Sequence, residues 1–158
     1  MQVRDARGED WAGVAALLAE LGRPAVLGEE NEADHRAAFE AYLARPETAA
    51  LVVEDGGEIV GFCDLEFRRR LNFLRSQAWI PDLIVAERAR SRGVGKALLD
   101  RAEELAEERD CWSLTLESAT WRTDAHRFYL REGWAQAGHY FIKSRTNEPW
   151  PPAPPAGR

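Results

Sequence analysis

Two glycines and three basic residues lie together at positions 90–96, between a short apolar β-branched run and a segment with helical spacing of apolar residues. Gly93 and Gly95 have no Cβ atom, so a ligand could approach the backbone closely there. The first N–H groups of a helix lack intrahelical acceptors and gain positive character from the helix dipole, so they stabilise phosphate. The stretch predicts an anion site, and a turn with a solvated basic face is the alternative. The charges come from Arg90, Arg92 and Lys96.

The same stretch fits neither of two common phosphate-binding loops. A Walker A loop needs G-x-x-x-x-G-K-[ST], but Arg90 replaces its first glycine and Ala97 its last residue. A dinucleotide-binding loop needs a third glycine, where this chain has Leu98. The spacing of Arg90, Gly93 and Gly95 is R-x-x-G-x-G. It resembles the acetyl-CoA pyrophosphate loop of the GNAT superfamily of N-acetyltransferases.

A second segment, TDAHRFYLREGW at 123–134, resembles the C-terminal GNAT motif A-x-x-F-Y-x-x-x-G-[FW]. In that motif the tyrosine faces the thioester, and here it is Tyr129. Many members carry asparagine seven positions earlier, whereas this chain has Arg122. The exact sequence of this motif and the LGRP segment at 21–24 resemble those of the aminoalkylphosphonate N-acetyltransferase branch of the superfamily.

The resemblance implies an acetyl-CoA site along a strand edge. The strands at 79–85 and 111–117 are expected to splay apart, so that pantetheine pairs with free backbone groups of Leu83 and Val85. The expected cofactor-binding residues are Leu83, Ile84, Val85, Arg90, Ser91, Arg92, Gly93, Val94, Gly95, Lys96, Arg122, Ala125 and Tyr129.

Acetyl transfer to an amine needs a neutral amine, a polarised carbonyl and a proton for the leaving thiolate. The pKa of a free thiol is about 8.5 and that of a phenol about 10, so a tyrosine hydroxyl at the sulfur could donate a hydrogen bond or a proton. By resemblance this residue is Tyr129, whose alternative role is packing. A backbone N–H in 83–85 would polarise the carbonyl. The candidate bases are Glu66, Asp82 and Glu117, each of which could instead be a solvated carboxylate at a strand end.

A short segment of this acidic chain carries four arginines, namely Arg68, Arg69, Arg70 and Arg75. Arginine is suited to bidentate recognition of carboxylate or phosphonate groups. The segment therefore predicts an acceptor amine that also carries an anionic group. The alternative is a solvated run of charge that pairs with surface carboxylates.

Composition narrows the class of protein. The chain has 158 residues, of which 45% are hydrophobic and 30% charged, so it is globular rather than disordered. Its net charge of −6 argues against nucleic acid as a partner. It has neither an apolar run long enough to cross a membrane nor an N-terminal signal-peptide core, so no membrane partner and a cytoplasmic location are expected.

Cysteine and histidine usage points the same way. Cys63 and Cys111 lie in strand-like runs and are expected to be buried free thiols in a reducing compartment. The three histidines and the scattered carboxylates show no metal-ligand spacing, so no metal site is predicted.

The elements that must position these residues alternate along the chain. Strands are predicted at 2–6, 49–54, 58–67, 79–85, 111–117, 134–137 and 139–144, with an irregularity at Pro81, which cannot donate to a sheet. Helices are predicted at 11–21, 31–44, 96–109 and 124–131, the last capped by Thr123. Hairpins at both ends favour a mixed α/β sheet over a doubly wound parallel one.

The resemblance implies the GNAT fold, a twisted and mostly antiparallel sheet of about six to seven strands flanked by about four helices. Residues 1–145 are expected to form the acetyltransferase domain and residues 146–158 a Pro-rich tail. The acceptor pocket is expected from helix 31–44, loop 68–78 and residues 139–141.

The implied function is transfer of an acetyl group from acetyl-CoA, as cosubstrate, to the primary amine of a small molecule by direct attack in a ternary complex. This function is compatible with a homodimer. Two other functions stay open: an acyl-CoA sensor without turnover, and a protein or peptide acetyltransferase.

Overall fold

A computed structural model describes residues 1–143 and 145. These residues form six strands and four α-helices, which confirms the predicted mixed α/β class. The strands are β1 (Gln2–Asp5), β2 (Thr48–Asp55), β3 (Glu58–Arg68), β4 (Gln77–Ile80), β5 (Leu83–Val85) and β6 (Ser113–Leu116). The α-helices are α1 (Trp11–Leu21), α2 (Glu32–Leu43), α3 (Val94–Glu108) and α4 (Thr123–Arg131). No helix in this part of the chain is long and apolar enough to span a membrane.

The described residues form two compact units, 1–116 and a second that begins at Glu117. The first contains the whole sheet, in the order β1-β2-β3-β4-β6, with β5 also paired to β3. All neighbours are antiparallel except β4 and β6, which are parallel. The mostly antiparallel sheet agrees with the predicted fold.

β4 and β5 lie along one edge of β3, where a single strand was predicted at 79–85. β5 pairs with residues 61–63 and β4 with residues 66–68. The break falls at Pro81, as the missing proline N–H requires, so the irregularity predicted there is confirmed. β6 pairs with β4 and not with β5, so residues 79–80 of the predicted strand are paired with β6 whereas residues 83–85 are not.

The helix α3 packs closely against β3. Its buried residues recur at helical spacing, as the sequence predicts, and include Leu98, Leu99 and Ala102. Gly61 permits this approach, because a Cβ built there would lie only 2.7 Å from Cγ1 of Val94. A glycine in the sheet thus sets the position of the first turn of α3.

Three local predictions need correction. The helix α4 begins at Thr123, so Arg122 and not Thr123 takes the capping position. No strand forms at 134–143, although strands were predicted at 134–137 and 139–144, and Ser144 lies outside the described residues. Cys63 is buried as expected, but Cys111 is only half-buried. The expected Pro-rich tail at 146–158 also lies outside the described residues.

Candidate active site

The outer edge of β5 presents backbone groups that no strand pairs with in the described part of the chain. The N–H of Ala86 donates to β3 at 2.9 Å, and the carbonyl of Asp82 accepts from β3 at 3.2 Å. Ile84 lies midway between them and faces the same way. Because backbone groups alternate in direction along a strand, those of Leu83 and Val85 point to the opposite edge. No strand covers that edge within residues 1–143 and 145.

The turn before α3 has the backbone shape of an anion-binding loop. Ser91 has a φ of +61° and Gly93 a φ of +80°, and Gly93 takes the N-cap position of α3. A Cβ at Gly93 would meet no atom within 4 Å, so the space in front of the backbone is open. The N–H groups of Val94, Gly95 and Lys96 open the helix and have no intrahelical acceptor. This arrangement suits a phosphate group.

The basic side chains of this turn are held by neighbours within the unit. Arg92 pairs with Asp55 at 2.8 Å, and Lys96 pairs with Asp100 at 2.6 Å. The Nε–H of Arg90 donates to the carbonyl of Val85 in β5 at 3.4 Å. The open anion-binding groups here are therefore backbone N–H groups, with the arginine and lysine charges around them.

The second unit carries the predicted tyrosine on α4. The ring of Tyr129 packs against those of Phe128 at 5.4 Å and Trp134 at 5.9 Å between centroids. The helix ends at the predicted place, where Gly133 has a φ of +87°. Arg122 precedes the helix, and its guanidinium lies 4.6 Å from the centre of the Trp121 ring. Ala125 lies in the first turn.

A cavity of about 260 Å³ lies within the first unit, between α1, α2 and β3. Most of its wall is apolar or aromatic, including Trp11, Phe39 and Phe62. Its volume suits a small molecule rather than a long peptide. The predicted helix 31–44 does line the cavity, as α2, and α1 lines it as well. The polar side chains that face the cavity are Arg23, His35, Tyr42, Asp64 and Asp82.

Asp64 is a buried carboxylate in this cavity, with only 8% of its surface exposed. One of its oxygens accepts the N–H of Asp82 at 2.8 Å, which ties it to the break between β4 and β5. Burial, with the charge of Asp82 second, raises the pKa of Asp64 to about 8. Burial and the charge of Asp64 also raise the pKa of Tyr42, whose hydroxyl donates to the carbonyl of Leu65 at 3.0 Å.

The sequence patterns did not single out Asp64. The available signal is its position: Asp64 is the only charged residue in the run 60–65 of β3, and it shares a face with Phe62.

Two of the three carboxylates that the sequence predicts as candidate bases form ion pairs with arginines. Asp82 forms an ion pair with Arg23. Glu66 pairs with Arg68 at 3.2 Å. Glu117 is the first residue of the second unit.

The four arginines of the 68–75 segment mostly have local partners. Arg68 stacks on Trp79 at 3.4 Å in addition to its ion pair. Arg75 pairs with Asp110 at 3.2 Å, and Arg69 donates to the carbonyl of Leu74 at 3.1 Å. Arg70 differs, since within residues 1–143 and 145 its guanidinium forms no ion pair or hydrogen bond and lies 5.8 Å from the centre of the Phe73 ring.

Residues 14–134 match the sequence profile of the acetyltransferase (GNAT) family. The chain belongs to this family. An aminoalkylphosphonate N-acetyltransferase of Salmonella typhimurium is 34% identical to this GNAT protein over 146 residues, which is 90% of each chain. The resemblance indicated by the two motifs is thereby confirmed, as is the enzyme class, a GNAT N-acetyltransferase.

Solved structures of similar chains confirm the GNAT fold. A protein from Agrobacterium tumefaciens, assigned as an acetyltransferase, is 26% identical and superposes with a TM-score of 0.81 over 92% of this chain and 100% of its own. A protein from Bacillus halodurans described as a transcriptional regulator has the same identity and TM-score, over 92% of this chain and 99% of its own.

Proposed function

We propose that this protein transfers the acetyl group of acetyl-CoA to the primary amine of a small molecule, by direct attack in a ternary complex. The observation that carries the proposal is the open edge of β5, which leads through the positive-φ turn into the first turn of α3. The strand edge offers N–H and C=O groups to the amides of a pantetheine chain. The turn and the start of α3 offer N–H groups to a pyrophosphate.

The chain's residues have distinct roles in this proposal. Leu83 and Val85 bind the pantetheine amides through their outward-facing backbone groups, and Ile84 between them holds the strand to β3. The pyrophosphate is bound by the turn and the start of α3, with Arg90, Ser91, Arg92, Gly93, Val94, Gly95 and Lys96 around it. Arg122 and Ala125 are proposed contacts from the second unit, and Tyr129 is the proposed proton donor to the thiolate.

The acceptor is proposed to be a small molecule because the cavity between α1, α2 and β3 is small and largely apolar. The relative from Salmonella typhimurium is named for aminoalkylphosphonates, and the arginines at 68–75 and Arg23 offer groups for an anion. An aminoalkylphosphonate is therefore the first acceptor to test.

Thiol release from acetyl-CoA tests the function directly. We expect release that depends on an added primary amine such as 2-aminoethylphosphonate. Initial rates measured against both substrates should give intersecting lines, because both must be bound before transfer. Parallel lines would contradict direct attack. CoA binding without thiol release for any small amine would favour the sensor, and release only with peptides would favour a peptide acetyltransferase.

A further inference from the structure

The cavity between α1, α2 and β3 contains one carboxylate that no basic side chain neutralises. Asp82 pairs with Arg23, but Asp64 forms no ion pair within the part of the chain that the structure describes. A buried carboxylate without a cationic partner is costly to keep ionised. An ammonium group entering the cavity would supply the missing partner.

We propose that Asp64 is the general base of the transfer and removes a proton from the ammonium group of the acceptor inside this cavity. The inference rests on the proposed function and adds to it the residue that prepares the nucleophile. The structure indicated Asp64 through its position, since neither sequence motif contains it.

The place of Asp64 relative to β5 supports this role. Its backbone N–H donates to the carbonyl of Asp82 at 3.2 Å, and its carboxylate accepts the N–H of the same residue at 2.8 Å. Asp82 immediately precedes Leu83, the first residue of the proposed pantetheine edge. The carboxylate is thus fixed beside the N-terminal end of β5, on the face of β3 that lines the cavity.

The acid–base match also favours Asp64. An alkyl ammonium has a pKa near 10, whereas an ordinary aspartate has a pKa near 4 and is a weak base. Burial and the neighbouring Asp82 raise the pKa of Asp64 to about 8, which brings it closer to that of the amine. The charged and titratable groups around it are Asp82, Arg23 after α1, His35 and Tyr42 on α2, and Glu66 on its own strand.

The proposed step balances in protons and electrons. The ammonium gives one proton to the carboxylate of Asp64, and the nitrogen lone pair forms the C–N bond to the acetyl carbon. The C–S bond breaks and its electron pair leaves on sulfur, which receives a proton from the proposed donor Tyr129. The second proton of the amine nitrogen then restores that donor, and Asp64 releases its proton to solvent.

The pH dependence of kcat/KM for 2-aminoethylphosphonate tests the assignment. In the wild type, kcat/KM should rise with pH through an apparent pKa near 8. Asp64→Asn keeps the acceptor for the N–H of Asp82 but cannot take a proton. We expect it to lower kcat/KM by roughly 100-fold or more and to abolish this rise, with an unchanged Kd for CoA.

Asp82→Asn provides a second, independent measurement. It removes a negative charge beside Asp64 and leaves the charge of Arg23 unpaired, and both changes favour the ionised carboxylate. The rise in kcat/KM should move to lower pH, by about one unit. A purely structural role for Asp64 does not predict this shift, and the measurement decides even where Asp64→Asn fails to fold.

The competing assignment is Glu66, two residues along the same strand face. If Glu66→Gln abolishes the rise while Asp64→Asn keeps it, the proposal for Asp64 is overturned. It is equally overturned if Asp82→Asn leaves the apparent pKa unchanged. These failures leave the acetyltransferase function standing, whereas absence of thiol release by the wild type with every amine removes both proposals together.

Discussion

Tyr129 has the chemistry of a proton donor and a well-defined local setting. Its ring contacts those of Phe128 and Trp134, and replacement by phenylalanine keeps the ring. A phenol has a pKa of about 10, so it is protonated at neutral pH and can donate a hydrogen bond or a proton to the leaving thiolate. The hydroxyl is the part of the residue to remove in a test.

Tyr129→Phe should lower kcat by roughly 10- to 1000-fold, because the ring stays and the proton donor is lost. The Kd for CoA, measured by titration calorimetry, should change little. Tyr140→Phe is the matched control, since Tyr140 is an exposed tyrosine of the same unit, 59% accessible. Unchanged kcat in Tyr129→Phe would assign Tyr129 to packing.

At the scale of single residues, the sequence predicts what local spacing encodes. The glycines of the anion loop and Tyr129 lie in short motifs, so their types and separations suffice. Asp64 could not be identified in this way. Its burial and its contact with Asp82 arise from packing of α1, α2 and the β4–β5 break around β3, which joins residues far apart in the chain.

Among the elements, the turn before α3 permits a controlled test. Gly93 and Gly28 both have a φ of +80° and open space where a Cβ would stand. Valine at either position is strained to a similar degree, but only Gly93 lies at the proposed pyrophosphate site. Gly93→Val should raise the Kd for CoA by about tenfold or more and Gly28→Val by less than about twofold. Equal Kd values for the two variants would show that the loop is wrongly assigned.

The segment after β3 bears on the acceptor. Arg70 is the arginine of this segment whose guanidinium forms no hydrogen bond or ion pair in the described residues, whereas Arg75 pairs with Asp110. KM for 2-aminoethylphosphonate should be lower than KM for propylamine, and Arg70→Ala should shrink that advantage about threefold or more. Arg75→Ala is the control with a smaller effect. Equal KM values in the wild type would show that these arginines do not select an anionic amine.

Element prediction from the sequence succeeded where a pattern is strong and local. The apolar spacing of α3 and the turn at Gly56 and Gly57 between β2 and β3 are of this kind. The break at Pro81 was predictable because proline has no backbone N–H to donate to a neighbouring strand. The residues at 134–143 alternate weakly and are rich in aromatic groups, which favours a strand, but a strand also needs a partner that short-range pattern cannot specify.

Asp64 affects the stability of the whole molecule. Its pKa is raised in the folded state to about 8, against about 4 in an unfolded chain. Between these values the unfolded chain has released the proton and the folded protein still holds it. The free energy of unfolding therefore falls as pH rises from about 4 to about 8.

Thermal melts at pH 5 and pH 8.5 can measure this effect. We expect the Tm of Asp64→Asn relative to wild type to increase by about 5 °C or more between the two pH values, since the amide does not titrate. Asp34→Asn, at an exposed position on α2, should show no such change. The same Tm difference at both pH values for Asp64→Asn would contradict the raised pKa.

The one-sided pairing of β5 also has a kinetic signature in solution. The amide of Ile84 is hydrogen-bonded to β3, while those of Leu83 and Val85 face the uncovered edge. Deuterium should therefore enter Leu83 and Val85 faster than Ile84 in the free protein, and saturating CoA should protect the two outer amides. Equal uptake at all three positions, or no slowing with CoA, would mean that this edge is closed by other means. Deuterium uptake at Leu83, Ile84 and Val85, compared with and without CoA, therefore reports without any substitution whether the cosubstrate is bound at this edge.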